Sequence, residues 1–340
     1  MTKADIHDVA KAAGVSISTV SRAFTRPELV SAKTRRKVLE IADKLDFNIS
    51  RSATALKSGR TNRVALLVNE EITAWFNNQL FAGIESVMHR NGYDISLYQH
   101  IDTAQSRHEF FTELPIRRNV DAVFVASFAI DPHEIEQLKR INVPIIGINV
   151  PSTEGFDATI GIDDEKGMYV ATQHLINLGH RRIVYPCSEA VTSLDASIDA
   201  RARGFIHACE DAAARHDIDW QVLTVPRGPH FADSALSALL ALDEFPDAIC
   251  CQTDMMAIPL VVKLERYGHR TPRDYSIIGF DDSPYADTVN LTTMRQDPYQ
   301  MGGTAARKAI RLMTGEPLDT PHEMVEVQLV PRGTDALFER

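Results

Sequence analysis

The sequence predicts a small all-α head joined to an α/β core of two lobes, each built on a parallel sheet. Short helical patterns separated by turn signals fill the first 46 residues, and apolar strands alternate with amphipathic helices from residue 63 onward. The charge also differs: residues 1–61 contain 12 of the 36 Lys and Arg but 6 of the 46 Asp and Glu. A basic head on an acidic body is typical of a nucleic-acid-binding module, because neutralising phosphates needs local positive charge.

The head is predicted to contain three short helices around one shared core. A helix over Ile6–Ala13 ends at Gly14, a residue type that tolerates the left-handed conformation. Ser16 is placed to cap a second helix, Ile17–Phe24, and the intervening turn is so tight that the two helices must cross steeply, as in a helix-turn-helix. A third helix follows Ser31, with apolar residues at helical spacing. The predicted core of the head is Val9, Ala12, Val20, Ala23, Val38, Ile41 and Leu45.

The remainder alternates strands and helices, a pattern that favours parallel sheets with helices on both faces, and the strand count suits two lobes. The predicted strands are Arg63–Val68, Asp94–Tyr98, Ala122–Ser127, Pro144–Asn149, Thr159–Ile162, Arg182–Pro186, Gln221–Val225, Ala248–Gln252, Ser276–Gly279 and Glu326–Val330. The predicted helices between them include Gln79–Asn91, Glu165–Leu178, Arg201–Ala214, Ala232–Leu242 and Met255–Tyr267.

Several classes of protein are disfavoured by what the sequence lacks. Apolar runs such as Arg63–Val68 are too short to span a bilayer, and the N-terminus lacks the apolar core of a signal peptide, so we expect a cytoplasmic protein without membrane contact. The motifs of nucleotide-binding enzymes, serine hydrolases and zinc proteases do not occur, so we expect no enzymatic activity and no cofactor. Asp163, Asp164 and Asp282 are predicted to be turn or capping carboxylates, and no metal site is expected.

Sequence motifs then connect the chain to a known family. The head contains Asp8-Val-Ala-Lys-Ala-Ala-Gly-Val-Ser-Ile-Ser-Thr-Val-Ser-Arg22, followed by Val30-Ser-Ala-Lys-Thr-Arg35, and it resembles the DNA-binding head of lac repressor family regulators. The resemblance implies a core like that of periplasmic sugar-binding proteins, with three crossover strands between two lobes. Further motifs occur in the family's order: Gly83-Ile-Glu85, His174-Leu-Ile-Asn-Leu-Gly-His-Arg-Arg-Ile183, Arg201-Ala-Arg-Gly-Phe205, Ser276-Ile-Ile-Gly-Phe-Asp-Asp282 and Leu291-Thr-Thr-Met-Arg-Gln-Asp297.

By this resemblance the second helix of the head reads the operator in the major groove. Ile17, Ser18 and Arg22 match the base-reading residues, with Arg22 expected to bond a guanine and Ile17 to contact a thymine methyl group. Each small hydroxyl near a helix start could either bond a phosphate or be an ordinary helix cap. The residues that match phosphate contacts are Ser16, Thr19, Ser21, Thr25, Ser31 and Thr34.

Residues 47–61 resemble the hinge helix of the family. Ala53, Leu56 and Lys57 match the residues that enter the minor groove, where the leucine wedges between base steps and kinks the DNA. Ile49-Ser50 replaces the usual Pro-Asn at the start of this hinge, so the helix lacks the pre-organisation that proline gives.

The resemblance also implies an effector cleft between the lobes, at the strand ends where open α/β sheets bind ligands. Arg201 and Asp281 together can hold vicinal hydroxyls, or they can form a structural ion pair instead. Trp75 could likewise belong to the core or to the surface. Thr253 stands where the family commonly has asparagine, and Asn149 where it commonly has aspartate, so effector identity does not transfer from relatives. The full set of candidates is Trp75, Phe76, Ser127, Phe128, Asn149, Arg201, Thr253, Asp254 and Asp281.

The predicted domains are a helix-turn-helix domain at 1–46, a hinge at 47–61 and a core at 62–340. Within the core, the N-lobe is predicted at about 62–161 and 292–319, and the C-lobe at about 162–291 and 320–340. The resemblance implies a homodimeric repressor of carbohydrate genes that binds a pseudo-palindromic double-stranded operator and a sugar-like effector. Alternatives are a nucleoside- or purine-responsive regulator and a phosphocarrier-dependent one. A transport-type sugar-binding protein is opposed by the basic head and the missing signal peptide.

Overall fold

The computed structural model describes residues 4–25, 27–47, 60–69, 71–99, 104–117, 119–189, 197–228 and 230–338. It confirms the predicted fold class, an all-α head and an α/β core with two sheets, and the chain divides into compact units at 1–62 and 63–340. The helices are α1 (Ile6–Ala13), α2 (Ile17–Thr25), α3 (Ala32–Lys44), α4 (Trp75–Met88), α5 (Ala104–Arg117), α6 (Pro132–Lys139), α7 (Asp164–Asn177), α8 (Ser197–Ala213), α9 (Phe231–Leu240), α10 (Asp254–Arg266) and α11 (Pro298–Met313). The strands are β1 (Arg63–Val68), β2 (Asp94–Tyr98), β3 (Ala122–Ala126), β4 (Ile145–Ile148), β5 (Ala158–Ile162), β6 (Arg182–Ser188), β7 (Asp219–Val225), β8 (Ala248–Cys250), β9 (Ser276–Asp281), β10 (Thr292–Arg295), β11 (His322–Val325) and β12 (Gln328–Val330).

Local capping fixes the helices of the head. The Asp5 carboxylate accepts from the backbone N–H groups of His7 and Asp8, and the Asp8 carboxylate accepts from the Asp5 backbone N–H, which makes a reciprocal cap at the start of α1. Gly14 ends the helix at φ 66°, as predicted. Ser31 caps α3 by accepting from the Thr34 backbone N–H at 3.2 Å. These local bonds explain why the helix starts could be located from the sequence.

Two predicted members of the head core are wrong. Ala12 is exposed because α1 turns its Ala10 and Ala13 side toward the core. Leu45 is 37% exposed because α3 ends at Lys44, so the Leu45 side chain no longer follows the buried face. The buried core of the head consists of Val9, Ala10, Ala13, Val20, Ala23, Val38 and Ala42.

The core contains two six-stranded sheets. The first has the strand order β11-β5-β4-β3-β1-β2 and is parallel throughout, as the alternation of strands and helices predicted. The second has the order β12-β10-β9-β8-β6-β7 and is parallel except that β12 runs antiparallel to β10. The central strands β1, β3 and β9 are almost wholly buried, which accounts for their continuous apolar sequences.

The C-terminal part of the chain differs from the prediction. A single strand was predicted at Glu326–Val330, but the structure has two: β12 within that range and β11 before it, which pairs with β5 in the other sheet. Strand β10 was also missed, because Thr-Thr-Met-Arg is short and half polar. The chain therefore crosses between sheets after Ile162, after Arg295 and between Val325 and Gln328. The lobe boundaries predicted at residues 292 and 320 are several residues too early.

Two glycines allow helices to approach closely on the outside of the sheets. A Cβ at Gly83 of α4 would overlap the backbone carbonyl oxygen of Tyr299 in α11. A Cβ at Gly204 of α8 would overlap the carbonyl oxygen of Glu165 in α7. Both positions fall within motifs that carried the family resemblance, and close helix packing is the physical reason for glycine there.

The described residues contain no helix that is both long enough and apolar enough to cross a membrane.

Candidate functional site

The second helix of the head exposes the predicted base-reading residues. Ile17 is 39% exposed, an unusual state for a large apolar residue in a small domain, and Ser18 and Arg22 are also exposed. On the opposite side of α2, Val20 and Ala23 are buried in the head core. The helix thus has a packed face and a free face that carries both an apolar group and a guanidinium, which are the groups that contact thymine methyls and guanine edges.

Hydroxyl groups cluster at the starts of α2 and α3. The Ser16 hydroxyl lies 2.9 Å from that of Ser18 and 2.8 Å from that of Thr19, and it accepts from the Thr19 backbone. The Ser31 and Thr34 hydroxyls form a similar pair at 2.8 Å. The structure thus gives several of these residues a capping role, and a capped helix N-terminus with hydroxyls around it can still receive a phosphate oxygen. Ser21 is half-buried on α2.

Some predicted DNA contacts lie outside the described part of the chain. Ala53, Leu56 and Lys57 of the hinge lie outside the described residues, as does Ile49-Ser50. Thr25 ends α2, but the structure describes its backbone and not its side chain. The DNA contacts assigned to these residues stay predictions.

In the core, most of the candidate effector residues lie at the carboxyl ends of strands. Ser127 follows β3 and Asn149 follows β4 in the first sheet, and both have positive φ, at 68° and 49°. Thr253 and Asp254 follow β8 in the second sheet, and Asp281 ends β9 at φ 137°. Backbone conformations that are unfavourable for non-glycine residues cluster at ligand sites, where surrounding structure holds them in place.

Arg201 is the centre of the polar cluster in the second lobe. It is 4% exposed, and its Nε donates to Asp164 Oδ1 at 2.7 Å while Nη1 donates to the Gln252 carbonyl oxygen at 2.7 Å. Asp281 is farther away, with Oδ1 at 3.7 Å from Arg201 Nη1. The guanidinium also lies 3.7 Å from the centre of the Phe280 ring. Arg201 and Asp281 are therefore neighbours, but Arg201 pairs most closely with a different carboxylate.

Asp164, which the sequence suggested was a turn or capping residue, is this closest partner. Its neighbour Asp163 does cap α7, accepting from the Lys166 backbone at 2.9 Å, whereas Asp164 turns inward and is 4% exposed. Asn149 donates to Asp164 Oδ2 at 3.0 Å and accepts from the Ile162 backbone at 3.1 Å. Asn149 thus ties the end of β4 in the first lobe to the crossover that enters the second.

Asp254 and Asp281 accept their close hydrogen bonds from neutral donors, whereas Asp282 is bonded by arginines. Asp254 accepts from the Thr293 hydroxyl at 2.6 Å and from the Ser283 backbone at 2.8 Å. Asp281 accepts from the Gln296 side-chain amide at 2.7 Å. Asp282, also predicted to be a turn residue, is instead bonded by Arg295 and Arg332, each at 2.6 Å.

Burial sets the ionisation of this cluster. Burial raises the pKa of the Asp281 carboxyl to about 7, although Arg201 lowers it in part. Burial likewise raises the pKa of Asp164 and of Asp254. Burial lowers the pKa of Arg201, but the charges of Asp164 and Asp281 outweigh burial and leave that pKa raised. The guanidinium is therefore the fixed charge of the site, and Asp281 is the group that can titrate near neutral pH.

The aromatic candidates in the first lobe differ in their environments. Trp75 and Phe76 begin α4 and are half-buried, and the Trp75 indole nitrogen is shielded from solvent without a hydrogen-bond partner in the described part of the chain. Phe128 is 4% exposed and packs in the first-lobe core, with the Arg107 guanidinium 5.1 Å from its ring centre. Trp75 can thus offer both a ring and an unused donor, whereas Phe128 has little free surface.

Sequence reasoning missed three residues of the cluster: Asp164, Gln252 and Gln296. Gln252 bonds Ser188 through both atoms of its side-chain amide, with distances of 3.1 Å. Gln296 leaves its side-chain oxygen buried without a partner among the described residues. Gln252 is the last residue of the predicted strand Ala248–Gln252 and Gln296 directly follows β10, so an amide at the carboxyl end of a strand was the signal that could have identified them.

Comparisons with known proteins agree with this architecture. Residues 5–49 match the family model described as bacterial regulatory proteins, lacI family, and residues 172–334 match a periplasmic binding protein-like domain. The chain is 29% identical to the HTH-type transcriptional repressor PurR of Vibrio cholerae over 327 residues, which cover 94% of this chain and 93% of that one.

Two solved structures show the same fold. A lac repressor dimer bound to operator and the anti-inducer ONPF matches with a TM-score of 0.82 at 22% identity, covering 98% of this chain and all of that one. A LacI family regulator from Enterococcus faecium with bound ribose matches with a TM-score of 0.70 at 27% identity, covering 82% of this chain and all of that one.

Proposed function

We propose that this member of the lacI family of bacterial regulatory proteins, an effector-controlled DNA-binding transcriptional regulator, takes a sugar or sugar derivative as its effector. In this proposal it acts as a cytoplasmic homodimeric repressor of carbohydrate genes and performs no catalysis. The observation that carries the proposal is the buried cluster around Arg201 and Asp281.

This cluster suits a polyhydroxyl ligand. A guanidinium donates to hydroxyl oxygens, and a carboxylate accepts from hydroxyl protons, so together they can fix two neighbouring hydroxyls in one orientation. Trp75 adds a ring and an N–H donor, and Gln296 adds an acceptor; neither polar atom has a hydrogen-bond partner among the residues that the structure describes. The ribose bound to the Enterococcus faecium regulator supports a sugar as the class of effector.

We propose that the head reads the operator through α2. Arg22 would bond a guanine and Ile17 would contact a thymine methyl group, while Ser18 adds a short polar contact and Ser16, Thr19, Ser21, Thr25, Ser31 and Thr34 bond phosphates. From the hinge, Ala53, Leu56 and Lys57 would enter the minor groove.

A face of α10 supports the proposed homodimer. Met255 is 49% exposed and Val262 is 42% exposed, and their seven-residue spacing puts them on one side of the helix. Tyr285, just beyond the end of β9, is 64% exposed. Exposed apolar side chains of this size on one face suit burial against a second copy.

Regulation would arise from coupling between cleft and operator. The Asn149 side chain bonds Asp164 at the crossover, and Asp164 pairs with Arg201, so a ligand that engages Arg201 changes bonds that connect the two lobes. If effector binding shifts the relative orientation of the lobes, operator DNA and effector must alter each other's affinity by the same factor.

A thermal-shift screen of the full-length protein tests the proposed class of effector. Monosaccharides, disaccharides, sugar phosphates, nucleosides and purine bases are compared, because a ligand that binds only the folded state raises Tm. We expect stabilisation by sugars that is lost in Arg201→Met. Stabilisation by nucleosides or purine bases alone would replace the sugar with that class, and stabilisation by no small molecule would favour a protein corepressor such as a phosphocarrier.

A further inference from the structure

The buried charges of the second lobe do not balance in the described part of the chain. In the first lobe, buried Arg107 is paired with buried Glu134. Buried Lys308 is held by backbone carbonyl oxygens and by Glu323. The cluster in the second lobe instead holds three buried carboxylates and one guanidinium: Asp164 and Asp281 lie beside Arg201, and the charge of Asp254 acts on Asp281.

The charge of Arg201 is largely used by one of these carboxylates. Asp164 lies 2.7 Å from the guanidinium, whereas Asp281 lies 3.7 Å away and receives its close hydrogen bond from a neutral amide. Asp254 receives a hydroxyl and a backbone N–H. Two buried carboxylates are therefore left without a full counter-charge, a costly arrangement unless they bind a proton or a cation.

An independent observation places an unpartnered acceptor beside Asp281. The Gln296 side chain is 6% exposed, and its nitrogen bonds Asp281 while its oxygen has no partner among described residues. The two acceptors are adjacent because they share this amide. A metal ion does not suit this position, since no described group of three or more His, Cys, Asp or Glu is arranged to hold one.

We propose that the effector carries a protonated amine, as an amino sugar does, which binds between the Asp281 carboxylate and the Gln296 side-chain oxygen. An ammonium supplies a positive charge and several donors in one small group. This inference rests on the proposed function, because it specifies the ligand of the proposed sugar cleft.

The ammonium replaces a proton on Asp281. In the absence of effector, burial raises the pKa of Asp281 to about 7, so near neutral pH the carboxyl is partly protonated. The charged groups that act on it are Arg201, Asp254 and Asp164, while the adjacent Asp282 is balanced by its own arginines. When the ammonium binds, the carboxyl proton leaves to solvent.

The first test compares matched ligands on the full-length protein by titration calorimetry. Glucosamine, galactosamine and mannosamine are each compared with the parent hexose and with the N-acetylated form, which lacks the charge. We expect one amino sugar to bind about tenfold or more tighter than both of its partners, as charge-assisted hydrogen bonds predict. Equal or tighter binding of a parent hexose would overturn the amine and leave the sugar function standing. Binding of none of these sugars would overturn the amine, and it would overturn the sugar function as well only if the wider thermal-shift panel also gave no sugar.

The second test uses proton release and a variant pair. In two buffers of different ionisation enthalpy, amine binding at about pH 6.5 is expected to release a proton and parent-hexose binding is not. Asp281→Asn is expected to reduce the preference for amine over hexose to about one, whereas Asp282→Asn, which changes an already balanced carboxylate, is expected to keep it. A wild-type protein that releases no proton with the amine would contradict the proposal even if the variants do not fold.

Discussion

The polar residues of the head that are proposed to read DNA project from α2 into solvent. The polar residues of the core that are proposed to hold the effector are buried against one another. Arg22 is exposed on its helix, while Arg201 is 4% exposed and engages Asp164, the Gln252 backbone and the Phe280 ring. An exposed arginine adds little to folding stability, but a buried arginine cannot be removed without leaving charges unpaired. Substitutions of the DNA-reading residues should therefore change DNA affinity with little effect on folding stability. Substitutions in the buried cluster of the core should change effector binding and folding stability together.

The largest expected effect is on the stability of the core. Arg201→Ala leaves Asp164 and Asp281 buried without their cation, and we expect a loss of about 3–5 kcal/mol in the free energy of unfolding. Urea denaturation of the full-length protein measures it. Arg203→Ala is the matched control, because Arg203 pairs with Glu165 on the surface two residues along α8, and its effect should stay below about 1 kcal/mol. Similar losses in both variants would contradict the buried role.

The next effect concerns DNA alone. Arg22→Ala is expected to lose about 1–3 kcal/mol of binding energy for the cognate operator, because a bidentate contact to guanine is removed, with little change in Tm. Fluorescence anisotropy on cognate and substituted operators measures the loss. Lys33→Ala is the matched control. It removes a positive charge from the exposed side of α3 and should weaken binding about equally on all operator sequences. Equal losses on all operators for Arg22→Ala would instead assign it to a phosphate.

The pH dependence of stability should also distinguish the two regions. Since the folded-state pKa of Asp281 is raised to about 7, its contribution to stability is fully present below the unfolded pKa and is lost as pH rises through about 7. We expect the free energy of unfolding of wild type, relative to Asp281→Asn, to fall by about 1–3 kcal/mol between about pH 5 and pH 8. Parallel pH profiles for the two proteins would show that Asp281 does not titrate in this range.

The smallest effect is a helix cap in the head. Ser31→Ala removes the acceptor of the Thr34 backbone N–H and is expected to destabilise the head by about 1 kcal/mol. Hydrogen exchange of α3 amides in the full chain measures this, since local openings report local stability. Ser18→Ala is the control, because the Ser18 hydroxyl bonds that of Ser16 and serves no backbone cap in the described structure. Faster exchange in the control alone would reverse the assignment.

The same comparison explains what could be predicted from the sequence. Bounds of α1, its Asp5 cap and the Gly14 stop follow from neighbouring residues, so the sequence contains all the information they need. Failures in the head were equally local: Ala12 was placed on the wrong side of α1, and Leu45 was placed within α3 although the helix ends at Lys44. In the core, the central strands were predictable because burial on both faces requires continuous apolar sequence.

The cleft could be predicted only in part. Strand ends and the family resemblance indicated Arg201 and Asp281, but Asp164 meets Arg201 across 37 positions of sequence and no local pattern distinguishes it from the capping residue beside it. Strands β10 and β11 were missed because neither is long or apolar enough to show the alternation of a strand. The Asp164–Arg201 pair and the two strands depend on contacts between residues far apart in the sequence, so local patterns did not predict them.

The third crossover sets a limit on how the lobes can move. Strand β11 ends in one sheet at Val325, and β12 begins in the other at Gln328, so two residues separate them. Three backbone steps span at most about 10–11 Å, and these two strand ends can never be farther apart than that. The link therefore acts as a short tether at one margin of the core: the lobes can pivot about it, but any wide opening has to occur on the side away from it.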